Sequence, residues 1–159
     1  IFTSDQGLAL GSHGLLGKQN EYEHSIRSPL IICGPGLPKN ECCAALVNLS
    51  DLFPTLCDLA GTAVPATVQS KSLAPLLRHQ TGRVHDFVTG AFTDTQRMIC
   101  DERWKFVLYP KVGREQLFDL QSDPDEMHDL SGDPAHKTTK NDLKARLETW
   151  RREQGDPNL

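Results

Sequence analysis

The residues best equipped for chemistry stand near the start of the chain: Asp5, Gln6 and Lys18. Asp5 and Gln6 belong to Ser4-Asp5-Gln6-Gly7, directly after the apolar, β-branched Ile1-Phe2-Thr3. That tripeptide reads as the end of a buried strand, so the chain begins in mid-strand. Loops beyond the carboxyl ends of strands are where open α/β sheets bind ligands. A carboxylate beside an amide carbonyl offers two hard oxygen donors, suited to Ca²⁺ or Mg²⁺ rather than to a soft metal. Lys18 follows in a stretch punctuated by Gly11, Gly14 and Gly17, where backbone can approach a ligand closely. A metal-binding carboxylate and an anion-binding lysine suit a metal-bound, doubly charged oxyanion. The same letters also have a plainer reading. Asp bonds its own backbone in turns, Gly supplies positive φ, and a single lysine is ordinarily solvated.

The elements that must position these residues can be read in order. Pro29-Leu30-Ile31-Ile32-Cys33 is a continuous apolar run closed by Gly34-Pro35-Gly36, a buried strand and its turn. Leu49, Leu52, Phe53, Leu56, Leu59 and Ala60 recur at helical spacing, which predicts a helix packed into the core. Ser50 or Asp51 is its N-cap, Pro54 falls in its first turn and Gly61 ends it. Residues 62–83 mix loop with a short helical piece around Leu73-Leu77, and His79 and His85 read as surface residues. From Phe87 onward the pattern changes to four strands: 87–92, 97–100, 104–109 and 115–120. Short turns join them, which predicts an antiparallel meander. Trp104, Phe106 and Leu108 alternate, so one face should cover a hydrophobic layer. The acidic run Asp123, Asp125, Glu126, Asp129 and Asp133 lacks the ligand spacing of a calcium loop and reads as solvated turn. Asp133-Pro134 starts a final helix. Its Leu143, Leu147 and Trp150 face the small sheet, while Lys137, Lys140, Lys144, Arg146, Arg151 and Arg152 form its wet face.

Composition narrows the function classes. The 159 residues carry a net charge of −4 with 24 % charged residues, and no basic stripe with interleaved aromatics. This argues against nucleic acid as a partner. No apolar run approaches the ~18 residues of a membrane span, so no membrane partner is expected. Five cysteines are present, without a C-x-x-C pair or a Cys/His zinc spacing. They read as buried structural thiols.

Taken in order, Phe2-Thr3-Ser4-Asp5-Gln6-Gly7, His13-Gly14-Leu15-Leu16-Gly17-Lys18 and Tyr22-Glu23-His24-Ser25-Ile26-Arg27-Ser28-Pro29 resemble the type I sulfatases of the alkaline-phosphatase superfamily, which are arylsulfatase-like and formylglycine-dependent. The resemblance extends through Val47 to Gly61, through Arg103 to Tyr109, and through Gln116 to Leu130. It implies that Asp5 is a calcium ligand and Gln6 a second one, in a position usually held by Asn or His. Lys18 would bind the sulfate group, His13 would stand beside it within reach of substrate, and Glu23 and Arg27 would pair behind the loop. The fold implied is α/β, the C-terminal part of an alkaline-phosphatase-like sulfatase fold. Residues 1–85 would belong to the catalytic domain. Residues 86–159 would form a small α+β subdomain, its antiparallel four-stranded sheet packed on a C-terminal helix.

The resemblance also shows what this stretch lacks. The formylglycine nucleophile arises from Cys or Ser in a C/S-x-P/A-x-R motif. Cys33-Gly34-Pro35-Gly36-Leu37 comes close but has Leu in place of Arg. The paired aspartates that complete the calcium site are absent as well. The expected activity is therefore that of a parent sulfatase cleaving a sulfated small molecule or carbohydrate. This chain would carry part of the metal and sulfate site and be inactive alone. Phosphate or phosphonate monoester hydrolysis on the same scaffold is the alternative, and a non-catalytic domain the third reading. By resemblance the parent is periplasmic, secreted or lysosomal. An open strand edge predicts self-association of the fragment.

Overall fold

A computed structural model describes residues 1–156, and its contacts divide the chain into two units. One comprises Ile1–Asp5 with Leu30–Val88, the other Gln6–Pro29 with Thr89 onward. The expected split at residue 85 keeps Gln6–Pro29 with the first part. By contact this segment groups with the C-terminal sheet instead, because a buried lysine of that sheet grips it, as described below. The elements are β1 (Phe2–Thr3), α1 (Glu23–Ile26), β2 (Leu30–Ile31), α2 (Leu52–Ala60) and α3 (Ala74–Leu77), then β3 (Val88–Phe92), β4 (Gln96–Cys100), β5 (Trp104–Tyr109), β6 (Arg114–Asp119) and α4 (Lys137–Glu153). No helix among the described residues is long and apolar enough to cross a membrane.

In the first unit β1 and β2 pair antiparallel, Phe2 opposite Ile31. Neither strand is buried as predicted, and Phe2 is 65 % exposed. A ladder of two strands covers neither of its own faces. Helix α2 also departs from expectation. Its chain enters through a 3₁₀ turn over Leu49–Asp51. The start is set by Asn48, whose N–H donates to the Asp51 carboxylate at 2.8 Å, not by Ser50. Gly61, at φ 68°, ends the helix as predicted.

The buried residues at this helix are Asp51, Pro54 and Thr55, while Phe53 and Leu56 are about half exposed. Hydrogen bonds decide this orientation. The Thr55 hydroxyl donates to the Asp51 carbonyl at 2.5 Å and accepts the Leu73 N–H at 2.8 Å. The Asp51 carboxylate accepts the Lys71 N–H at 3.1 Å and meets His85 Nε2 at 2.8 Å. These bonds dock residues 71–85 and bury Leu73 and Ala74. His85, expected at the surface, is mostly buried against Asp51.

The second unit contains the predicted meander, in the order β3-β4-β5-β6. The register lines up Ile99, Phe106 and Leu117 across three strands, and all three are fully buried. Leu143 and Leu147 of α4 are buried with them, and α4 packs on β4 and β5. Asp133 caps the entry to α4 by accepting the Ala135 N–H at 2.9 Å, with Pro134 next in sequence, as predicted. Arg151 departs from the expected wet face. It is buried, and it shares Asp156 with Arg97 through bonds of 2.8 and 2.7 Å.

Phe106 and Leu108 of β5 are buried as expected, and the opposite face is buried too, since Lys105 and Val107 are as deep as Phe106. The acidic run is likewise not all solvated turn. Glu126 is buried, and the Asp129 carboxylate accepts the Leu117 N–H at 3.2 Å. All five cysteines are free, and only Cys100 is buried, where desolvation pushes its thiol up to about 12. Cys33, Cys42 and Cys43 are exposed, against the expectation of buried thiols, because they sit in loops rather than in the packed sheet.

The turn between β4 and β5 carries an acid-sensitive pair. Arg103 donates from Nε and Nη2 to the two Asp119 oxygens at 3.0 and 2.7 Å. These bonds lower the Asp119 carboxyl from 3.8 to about 2. Because the folded state holds this proton less tightly than the unfolded chain, its contribution is complete above pH 3.8 and lost as pH falls toward about 2. Asp119→Asn should therefore flatten the fall in stability across that window. Urea unfolding of both proteins at pH steps within it measures the effect, and parallel curves would show that the pair adds no acid sensitivity.

Candidate anion-binding site

Lys18 lies in the Gln6–Pro29 segment, and the local sequence explains how that segment is shaped. The Gly7 N–H donates to the Ser25 carbonyl at 2.9 Å. A Cβ at Gly7 would overlap the His24 carbonyl, so this glycine serves close backbone approach rather than positive φ. The chain then closes a compact loop in which Ala9 N–H donates to Gly17 O at 3.0 Å and Gly11 N–H to Leu15 O at 2.8 Å. Gly11 and Gly14 turn the loop at φ 108° and 70°, and Leu10 and His13 share that left-handed region at 48° and 53°. Lys18 is half-buried at the loop's exit. Its N–H donates to Gln19 Oε1 at 3.2 Å, and its carbonyl accepts the Asn20 N–H at 2.9 Å.

Directly after Lys18 the chain is fastened to the sheet. Lys105 Nζ donates to the Glu21 carbonyl at 3.1 Å. It also lies 2.7 Å from Glu23 Oε1 and 2.7 Å from Glu126 Oε1. The second contact is one of charge more than of a well-aligned hydrogen bond. Glu126 Oε2 accepts the Glu23 N–H at 2.6 Å. Burial raises the Glu126 carboxyl above its ordinary value, against the pull of Lys105. Burial raises Glu21 in the same way. A Cβ at Gly90 would overlap the Glu21 carboxylate, which accounts for a glycine inside β3. Glu23 therefore has a stronger partner than the predicted Arg27, which stands 3.9 Å away and is mostly exposed.

His13 takes part in a second fastening. Its ring stacks on Tyr22 at 4.0 Å between centroids and 7° between planes. His13 Nε2 lies 3.0 Å from the Asp125 carbonyl, and a carbonyl can only accept, so this nitrogen carries the proton. Tyr22 OH donates to Gln116 Oε1 at 3.2 Å. His24 lies 5.5 Å from the His13 ring. Its Nε2 is buried with no hydrogen-bond partner among the described residues. Desolvation, then the charges of His13 and Lys105, lower its basicity. An open cleft of about 700 Å³ runs beside these groups, lined among others by His13, Glu23, His24, Arg27, Asp125 and Glu126.

The predicted ligand residues fall as follows. Asp5, exposed, follows β1 and is the last residue of its stretch in the first unit. Gln6, also exposed, opens the stretch that groups with the second. Their oxygens are of the hard type calcium prefers, but calcium takes six to eight. Among the described residues no group of three or more His, Cys, Asp or Glu side chains is arranged to hold a metal. Sequence reading missed Lys105 and Glu126. A lysine between Trp104 and Phe106 in an apolar strand was the signal available.

Comparison with known proteins identifies this arrangement of loop, four-stranded meander and helix as the C-terminal region of a sulfatase. The chain belongs to that family: the family model described as N-sulphoglucosamine sulphohydrolase, C-terminal, matches residues 11–153. Arylsulfatase K of Xenopus laevis is 32 % identical over 92 % of this chain and 30 % of its own length. Delta 4,5-hexuronate-2-O-sulfatase of Bacteroides thetaiotaomicron is 32 % identical over 94 % of this chain and 34 % of its own. The chain thus spans about a third of the length of these relatives. A solved structure described as in complex with its substrate D-glucosamine-2-N,6-O-disulfate matches 98 % of this chain and 35 % of its own, with TM-score 0.86 and 27 % identity. A phosphonate monoester hydrolase of Silicibacter pomeroyi matches 99 % of this chain and 35 % of its own, with TM-score 0.85 and 25 % identity. The fold is the C-terminal part of the alkaline-phosphatase-like α/β fold.

Replacing Lys105 with Met should destabilise the second unit by about 3–5 kcal/mol, because it leaves Glu23 and Glu126 facing each other without a counter-charge. Chemical denaturation followed by Trp104 and Trp150 fluorescence reads this directly. A loss below about 1 kcal/mol, the scale of an exposed ion pair, would show that the trio is solvated in solution.

Proposed function

We propose that the protein carrying this chain hydrolyses sulfate esters of carbohydrates. Lys18, on the clamped loop, would bind the sulfate group. The observation that carries the reading is this built loop within a chain of the sulfatase family. Support for a sugar substrate comes from the two relatives whose names specify a hexuronate sulfate and a glucosamine disulfate. Asp5 and Gln6 would contribute two oxygens to a calcium ion, whose charge would help neutralise the sulfate. A formylglycine nucleophile and the remaining ligands would come from sequence beyond these residues.

The chemistry asked of Lys18 is electrostatic. A sulfate ester is a poor electrophile until its peripheral oxygens are neutralised. A fixed ammonium in a partly desolvated loop does this without reorganising as charge grows toward the leaving oxygen. His13 is held by Asp125 and Tyr22, so in this state its Nε2 proton is committed to a carbonyl. That assigns His13 to shaping the loop more than to proton transfer.

In the full-length protein, Lys18→Ala should lower kcat/KM on a sulfated monosaccharide by about 10²- to 10³-fold, as loss of one charge-stabilising donor does elsewhere. Unchanged turnover would remove Lys18 from the site. The isolated 159-residue chain should show no turnover and only weak calcium binding by calorimetry. Preference for a phosphonate monoester over the sulfate ester in the full-length protein would move the reading to the reaction named for the Silicibacter pomeroyi relative.

A further inference from the structure

We infer that Lys105, on a strand of the C-terminal sheet, is the positioning residue for Lys18, acting through the Glu21–Glu23 backbone it grips. This rests on the reading that Lys18 binds the sulfate group. The Gln6–Pro29 segment has little regular structure to hold a lysine in place, since α1 spans four residues and begins only at Glu23. What fixes the segment is a short run of polar contacts to the second unit's sheet and the loop after it. Gln96 Nε2 donates to the Gln19 carbonyl at 3.1 Å, Lys105 takes Glu21 and Glu23, and Tyr22 bonds Gln116. These three fall at residues 19–23, immediately after Lys18, while the His13 bond to the Asp125 carbonyl fastens the loop ahead of it. The largest of them is the ammonium of a side chain with no exposure.

The chemistry of this trio favours placement over stability. An ammonium has three N–H donors, and here its contacts go to the Glu21 carbonyl, Glu23 and Glu126. They join the segment to the loop after β6 through a single nitrogen. Buried ion clusters gain little over apolar residues of similar volume, because desolvation offsets their attraction. An apolar β5 would have packed as well as the neighbouring Phe106 and Val107 do. The lysine adds what packing does not, a fixed distance and register between residues 21–23 and the sheet.

The test uses the full-length protein in three forms: wild type, Lys105→Met, and Lys105→Met combined with Glu23→Gln and Glu126→Gln. The last removes the stranded carboxylates and should regain most of the melting temperature lost by the single change. Its kcat/KM on a sulfated monosaccharide should nevertheless stay about 10²-fold down, the scale of a misplaced binding group. Hydrogen exchange at the Ala9 and Gly11 amides should accelerate while the β5 amides keep their protection. Recovery of both kcat/KM and loop protection together with melting temperature would overturn the proposal and leave the trio a packing device. Should the triple variant fail to fold, Glu126→Gln alone keeps the acceptor for Glu23 N–H and should still lower kcat/KM several-fold, and no change would overturn the proposal. If the wild type does not hydrolyse the sulfate ester, the functional reading falls, and the exchange comparison still decides whether Lys105 sets the loop.

Discussion

The second unit depends on one buried ammonium. Lys105 has no exposed surface, and its contacts are a carbonyl and two carboxylates. A charge so placed is tolerable only if every partner stays where it is. The constraint therefore runs outward in three directions. Glu126 must turn inward from an otherwise acidic, polar loop. Glu23 must start α1 at the point where its N–H reaches Glu126. Glu21 must leave its carbonyl toward the sheet, which places its own carboxylate against β3 and requires glycine at residue 90. A segment with one short helix becomes part of a sheet's second face by this route.

The aromatic and imidazole rings continue the same logic with weaker forces. Tyr22 lies between two gripped residues, so its ring is presented in a fixed direction and His13 can stack on it. Stacking and the bond to the Asp125 carbonyl together hold a residue in left-handed backbone, a conformation that costs a non-glycine residue about 1 kcal/mol or more. The loop is thus held at three places: by its own Ala9 to Gly17 bond, by His13, and by the run after Lys18.

What the sequence disclosed follows from how local each signal is. The meander was legible because its strands are apolar, regularly spaced and joined by short turns. The α4 start was legible because Asp133-Pro134 acts within one turn. The inward face of α2 was not. Its apolar periodicity points to Phe53 and Leu56, yet the hydrogen bonds of Asp51 and Thr55 to residues 71–85 turn the other side inward. Those partners are 18 to 34 positions away, and nothing near Asp51 announces them. Glu126 was misread for the same reason. Within its own window it is one acid among five, and only Lys105, far off in sequence, makes it a buried one. The candidate residues Asp5, Gln6 and Lys18 were suggested by residue type after a strand end and in a glycine-bearing stretch; the roles expected of them, and His13 altogether, came from resemblance to a motif.

Lys18 and Lys105 show why residue type alone could not assign the chemistry. Both are lysines beside residues that suit their surroundings, Gly17 in a loop and Phe106 in a strand. The strand lysine meets two carboxylates at full burial, so its charge is matched internally and has nothing to offer a ligand. The loop lysine keeps partial exposure at the exit of a glycine-turned loop, where an incoming anion can reach it. The two lysines therefore differ in setting: Lys105 is fully buried between two carboxylates, where it can set a distance, and Lys18 stays partly exposed, as the anion-binding role proposed for it requires.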